Sequence, residues 1–292
     1  MTLAERFSLY ERLMRLDKPI GILLLLWPTL WALWFSSVGR PSWMVVWIFV
    51  LGTVLMRSAG CVINDLADRD FDPHVARTKD RPLAAGTVST KEALILFAAL
   101  VVCSFLLILP FRSWYVVGLS AVALFLAASY PLTKRFFAVP QAYLGVAFGF
   151  GIPMAYAVHL DTITTEAWLL LLANVFWAMA YDTEYAMVDR ADDLKIGIKT
   201  SAITFGRFDV AAVMLCYVLN FALIGWVGYR LHMGYGLFGG LVVAVLIAGY
   251  HFTLIRKREP ALCFKAFLHN NWIGAAIFAG VVIDFLPQLK LG

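Results

Sequence analysis

Nine charge-poor stretches of about 20 residues each, centred near Leu26, Val54, Val101, Val122, Ala147, Leu171, Leu219, Val245 and Ala279, leave the chain little choice of environment. Backbone amides in hydrocarbon find no water, so each stretch must satisfy its own polar groups, which a helix does within one segment. The reading is therefore all-α: a polytopic membrane protein with nine transmembrane helices in one bundle. Composition agrees, with 62% apolar and 15% charged side chains and a mean hydropathy of +0.80. No linker, low-complexity tract or shift in composition divides the sequence, so one transmembrane domain is expected over residues 1–292.

Basic residues assign the two faces. Nineteen of the 24 Lys and Arg fall in the N-terminal segment (Arg6, Arg12, Arg15, Lys18) and in the loops after the second, fourth, sixth and eighth spans. Arg40, Arg112, Arg230 and Lys290 form the opposite set, and Arg57 lies inside the second span. Under the positive-inside rule the N-terminus is cytoplasmic, and nine spans put the C-terminus outside. The net charge of +5 then reports topology rather than nucleic-acid binding. Before Pro19 the cations alternate with Glu5, Glu11 and Asp17, without a compact apolar core and cleavage site, so no cleaved signal or transit peptide is expected. These features fit a bacterial plasma (inner) membrane. Four scattered cysteines without a C-x-x-C pair, and five histidines without H-E-x-x-H spacing, argue against disulfides and zinc.

Against this apolar background, nine of the 19 acidic residues crowd into two short windows, Asp65 to Asp72 and Asp182 to Asp193. At about 100° per helical residue, Asn64, Asp68 and Asp72 span about 80° of arc, while Asp189 and Asp193 lie within about 20° of Asp182. Asp65 stands about 100° from Asn64. Pro73 disfavours helix at the residue before it, so the second span is expected to run to Asp72. A charged side chain at bilayer depth costs about 2.5–3.5 kcal/mol even on an insertion scale, so two such faces require cations. Oxygen-only donors suit a hard ion, and Mg²⁺ typically binds through one or two carboxylates together with substrate phosphates. The candidate Mg²⁺ ligands are Asn64, Asp68, Asp72, Asp182, Asp189 and Asp193, with Asp68, Asp72, Asp189 and Asp193 as the catalytic set. Arg77, Arg81, Lys134 and Arg135, with Asn64, are the candidates for holding diphosphate oxygens. Asp70, Asp192 and Glu184 lie off these faces and read as structural or surface partners.

Solvated loop charges would explain any one of these acids but not the set. The order of span, acidic stripe, basic loop and span occurs around residues 43–110 and again around 166–228, like a weak internal duplication that sets the stripes opposite each other. An ion-coupled transporter also buries acids in a repeated bundle, but near the midplane on broken helices rather than at helix ends beside a basic loop. A CDP-alcohol phosphotransferase needs D-x-x-D-G, whereas Asp68 is followed by Arg69. Aromatic content of 15% supplies interface belts, with Trp27, Trp31, Trp34, Trp43 and Trp47 as candidates, and π faces able to stabilise a carbocation.

The two runs resemble the motifs of the UbiA superfamily of intramembrane aromatic prenyltransferases. Asn64, Asp68, Asp72, Val75, Arg77, Thr78, Arg81 and Gly86 fall in register with the first motif, and Tyr181, Asp182, Tyr185, Asp189 and Asp193 with the second. The likeness covers nearly the whole chain, including DKPIG near the first span, YPLTKR after the fourth and KIGIKT after the sixth. DKPIGILLLLWPTLWAL and YDTEYAMVDRADDLKIGIKT are most similar to members that prenylate 4-hydroxybenzoate for ubiquinone synthesis, members acting on naphthoate, homogentisate or haem being the near rivals. The resemblance implies a nine-helix bundle with a cytoplasm-side cavity, Mg²⁺ bound through the aspartates, and a lateral opening toward membrane lipid for the tail of a polyprenyl diphosphate. It also implies ionisation of the allylic C–O bond, attack by the ring carbon ortho to the hydroxyl, and loss of the ring proton. A carboxylated acceptor needs a cation in the cavity, for which Arg15, Lys18 and Arg57 are candidates. Asp182 is assigned either to the metal or to polarising the phenol, and nothing in the sequence calls for an obligate protein partner.

Overall fold

The computed structural model describes residues 2–70, 72–74 and 78–290, the side chains of His74, Ile196 and residues 287–290 excepted. Within them the chain folds as twelve α-helices: α1 (Leu3–Met14), α2 (Ile20–Ser36), α3 (Trp43–Ala67), α4 (Thr90–Ile108), α5 (Trp114–Thr133), α6 (Pro140–Gly149), α7 (Gly151–Leu160), α8 (Thr165–Ile196), α9 (Ser201–Phe205), α10 (Asp209–Arg230), α11 (Tyr235–Ile255) and α12 (Pro260–Lys290). Each of the nine expected spans falls on a helix or a helix pair. Among the described residues, seven stretches are long and apolar enough to cross a bilayer by length and composition. The two expected spans outside that set have separate reasons. Helix α2 has only 17 residues, about 25 Å at 1.5 Å per residue. Helix α8, with 32 residues, carries the second acidic run on its C-terminal half and Glu166 and Asn174 on its N-terminal half.

Two expectations are corrected. The fifth span is not one helix but α6 and α7, which meet at Phe150. Pro153 has no N–H to offer the Gly149 carbonyl, so the hydrogen-bond ladder breaks at this point. The second span does not run to Asp72: α3 ends at Ala67 with Asp68 as its cap, and Asp72 opens a 3-10 turn, Asp72–His74. Pro73 excludes helix at Asp72 and lacks the N–H that would reach back one turn, so the end unwinds several residues earlier. A bond from the Asp72 amide to the Asp68 carbonyl, 2.8 Å, still ties the two aspartates together.

Helix α8 is the axis of the bundle, packed against α6, α10 and α12. Its Ala173, Trp177, Ala178 and Ala180 are fully enclosed. Close approach to α6 depends on Gly145, where a Cβ would lie 2.6 Å from the Val175 Cα. Since lipid tails are as apolar as leucine, polar contacts add specificity to packing between helices. Glu184 on α8 accepts from Tyr217 of α10 at 3.0 Å and from Asn270 of α12 at 2.8 Å, and Asn270 accepts from Trp177 at 3.0 Å. Glu184 is thus an internal fastener and not a surface partner.

At the far end of α12, Asp284 accepts the amides of Gly234 (2.9 Å), Gly236 (2.7 Å) and Leu237 (2.9 Å), capping the start of α11 from a neighbouring helix. Replacing a capping carboxylate by alanine typically costs about 0.5–2 kcal/mol. Asp284→Ala is therefore expected to lower the melting temperature of the detergent-solubilised protein while the folded fraction keeps its activity at room temperature. An unchanged melting temperature would show that the cap contributes nothing.

Candidate active site

A cavity of about 1460 Å³ runs into the bundle between α2, α3, α5, α8 and α12. Both acidic runs open onto it: Asn64, Asp68 and Asp72 from one side, Asp182, Asp189 and Asp193 from the other. Beyond them the walls turn apolar, with Phe49, Val101, Phe105, Leu124 and Leu144 among the lining residues. Rings of Tyr185 and Phe267 stand 4.8 Å apart on one wall, next to Phe264. The cavity is charged at one end and greasy along the rest.

The first acidic run is neutralised by cations that also face the cavity. Arg81 donates to both Asp72 oxygens at 3.0 and 2.8 Å and to Asp65 at 3.2 Å. Lys134 reaches Asp68 at 3.1 Å and Asn64 at 3.5 Å, and Asn64 donates to Asp68 at 3.2 Å. Burial pushes the Asp72 carboxyl above the usual carboxylate range against the pull of Arg81, and the neighbouring Asp65 and Asp68 push the same way. Among the described residues no group of three His, Cys, Asp or Glu is gathered closely enough to hold a metal by itself. In the first run the acids pair with cations instead.

Asp65 is the residue that the helical-face argument passed over. It is 1% exposed, stands outside the cavity lining, and accepts from Arg15 at 2.5 Å as well as from Arg81. Arg15 ends α1 in the left-handed backbone region, φ 58°, a strain of about 1–2 kcal/mol that the ion pair offsets. Asp65 thereby joins α1, α3 and the basic loop. The available signal was its place one residue after Asn64 on a helix buried on more than one face.

Several expected anion-binding residues part company. Arg81 and Lys134 line the cavity, whereas Arg135 does not, and its guanidinium donates to the Ala67 carbonyl at the end of α3 at 3.1 Å. Arg77 lies outside the described residues. Asp70 pairs with Arg69 at 3.4 Å and Asp192 with Lys195 at 3.1 Å, as their off-face positions suggested. Of the three candidate acceptor cations, all line the cavity, but their circumstances differ. Arg15 is committed to Asp65, and Lys18 is exposed on the segment before α2. Arg57 is deep on α3, its guanidinium 5.6 Å from the Phe148 ring centroid and its Nη1 bonded to Cys61 Sγ at 2.8 Å. Its Nε is buried with no hydrogen-bond partner among the described residues. Gly21 of α2 makes room for it, since a Cβ there would meet that Nε at 2.6 Å.

Comparison with known proteins follows the same lines. Residues 25–273 match the model of the UbiA prenyltransferase family. The chain is 72% identical to a 4-hydroxybenzoate octaprenyltransferase of Dechloromonas aromatica, over 97% of this chain and 96% of that protein. It is 68% identical to the protein of the same name from Thiobacillus denitrificans, over 98% and 97%. Among solved structures, an apo UbiA homolog from Aeropyrum pernix superposes with a TM-score of 0.79 at 24% identity, covering 91% of this chain and 98% of that one. A UbiA homolog from Archaeoglobus fulgidus bound to GPP and Mg²⁺ gives 0.66 at 20% identity, over 94% and 99%.

Because Asp65 holds two guanidinium groups in a water-poor setting, removing its charge takes the carboxylate partner from Arg15 and leaves Arg81 to Asp72 alone, at a cost of about 3 kcal/mol. Asp65→Asn is expected to lower the melting temperature of the solubilised protein clearly more than Asp70→Asn, whose carboxylate is exposed. Equal melting temperatures in differential scanning measurements would remove Asp65 from this structural role.

Proposed function

The chain belongs to the UbiA prenyltransferase family, and from that membership we propose a division of labour among the residues that line its cavity. It is an integral membrane enzyme that transfers a polyprenyl group from polyprenyl diphosphate to the ring carbon ortho to the hydroxyl of 4-hydroxybenzoate, releasing diphosphate, a step of ubiquinone synthesis. The observation that carries the division of labour is the meeting of both acidic runs, with Arg81 and Lys134, at one end of an otherwise apolar cavity. A transporter reading has no use for that polarity. The 4-hydroxybenzoate relatives outweigh the naphthoate, homogentisate and haem alternatives.

The donor set on the two acidic walls consists of oxygen atoms alone and fits a hard divalent ion. Asp68, Asp72, Asp189 and Asp193, assisted by Asn64 and Asp182, would hold Mg²⁺, which when bound neutralises the diphosphate leaving group. Arg81 and Lys134, with Arg77, grip diphosphate oxygens. The apolar walls take the polyprenyl chain and exclude water, so that the allylic cation meets the electron-rich ring before it meets a hydroxide. Aromatic faces of Tyr185 and Phe267 lie along that path and favour a delocalised cation. Arg57 binds the carboxylate of the acceptor: unlike the exposed Lys18 and the Asp65-bound Arg15, it holds a buried donor without a hydrogen-bond partner among the described residues.

We place the acidic end on the cytoplasmic side of a bacterial inner membrane. Support comes from the bias of 19 of the 24 basic residues to one set of loops. These loops also touch one another: Arg12 donates to the Asp80 carbonyl at 2.9 Å, Lys199 to that of Phe136 at 3.2 Å, and Arg258 to that of Arg207 at 2.8 Å.

Membranes containing the chain, given labelled 4-hydroxybenzoate and a polyprenyl diphosphate, are expected to form lipid-soluble label with Mg²⁺ and none with EDTA. Asp68→Ala is expected to lower the rate by about a hundredfold or more. Label formation that survives both treatments would overturn the metal assignment. For the acceptor, Arg57→Ala is expected to raise KM for 4-hydroxybenzoate by about tenfold or more, leaving KM for polyprenyl diphosphate unchanged. A rise confined to the diphosphate would reassign Arg57.

A further inference from the structure

The cavity holds a second donor in the same condition as the Arg57 Nε. Tyr181 precedes Asp182 on α8, lines the cavity and is 2% exposed. Its hydroxyl is buried and has no hydrogen-bond partner among the described residues. The ring is held in place, edge-on to Trp177 with centroids 5.5 Å apart and tilted against Phe267 at 6.3 Å. A hydroxyl buried without a partner is costly, so a side chain fixed in that state points to a ligand group that completes it. Packing alone would be met equally well by phenylalanine.

Depth in the cavity identifies the group. Arg57 lies seven residues before Asn64 on α3, and Tyr181 lies eight before Asp189 on α8. At 1.5 Å per residue, Arg57 sits about 10 Å deeper than Asn64, and Tyr181 about 12 Å deeper than Asp189, level with Asp182, the innermost acid of the second run. Both side chains line the same cavity, Arg57 from α3 and Tyr181 from α8. A para-substituted phenol that offers its ortho carbon to the diphosphate end must direct its other substituent away from that end, toward this depth. A carboxylate has two oxygens, and the site has two unpartnered donors, one on each wall.

We propose that the Tyr181 hydroxyl donates to the acceptor's carboxylate beside Arg57, making Tyr181 a specificity-determining residue for carboxylated phenols. The proposal rests on the acceptor reading given above. It divides the work between the two donors: Arg57 supplies charge, and Tyr181 supplies direction, fixing the ring so that the ortho position faces the reacting carbon.

The test is Tyr181→Phe in membranes, with steady-state kinetics run beside the wild-type chain on 4-hydroxybenzoate and on 4-methylphenol, which lacks the carboxylate. Removing one hydrogen bond to a charged group is expected to raise KM for 4-hydroxybenzoate by about tenfold. KM for polyprenyl diphosphate, and the rate with 4-methylphenol, are expected to stay as in the wild type. An unchanged KM for 4-hydroxybenzoate, a fall in kcat alone, or an equal loss with both acceptors overturns the assignment. Tyr181→Leu, which also lacks the hydroxyl but relieves the contact with Trp177, is the second variant, and the same outcomes apply. Wild-type protein that fails to prenylate 4-hydroxybenzoate would remove the acceptor reading itself. Wild-type activity with an unmoved KM in both variants would remove Tyr181 alone.

Discussion

Everything at the charged end of this bundle depends on the pairing of carboxylates with cations where water is scarce. An isolated acid near bilayer depth is expensive, and a pair recovers the cost only when its geometry is fixed by further bonds. Asp65 supplies that fixity. By accepting from Arg15 and Arg81 at once it ties the end of α1 and the basic loop to α3, and Arg81 in turn reaches Asp72. Lys134 performs the same service for Asp68 from the end of α5. Cations that face the cavity are therefore already positioned by protein carboxylates.

The rest of the bundle follows a different rule. Lipid gives no hydrophobic incentive for one apolar helix to prefer another, so close backbone approach and shared polar groups decide the arrangement. Gly145 lets α6 settle on α8, and the Glu184, Tyr217, Asn270 and Trp177 cluster joins α8 to α10 and α12. Since α8 also carries Asp182, Asp189 and Asp193, these fasteners set where the second acidic wall stands relative to the first.

How much of this was legible in sequence divides along physical lines. Helical class, the number of membrane-scale units and the clustering of the two acidic runs follow from hydropathy and residue spacing, which are local properties. The end of α3 was misplaced because the effect of Pro73 was taken to stop at its neighbour, whereas the missing amide unravels the turn before it. Arg135 and Lys134 are adjacent in sequence, and spacing could not tell which of them turns toward the cavity. Glu184 read as a structural or surface partner and proves structural, while Asp65, given no role, turns inward because α3 and α8 have neighbours on several sides. Tyr181 matched a motif, yet its unsatisfied hydroxyl becomes visible only with the walls in place.

The separation of polar and apolar surface along the cavity also bears on why the acceptor reacts at one ring position. A cation released at the acidic end is attacked by whichever carbon the acceptor presents there, and electron release from the hydroxyl activates the ortho and para positions. In 4-hydroxybenzoate the para position carries the carboxylate. With Arg57 proposed to hold that carboxylate, about two helical turns below Asn64, the hydroxyl and its ortho carbons turn toward the diphosphate. In the proposed assignment, regiochemistry follows from where one positive charge is buried and from the hydroxyl beside it that sets the direction, and Gly21 matters because its bare backbone leaves space for that guanidinium.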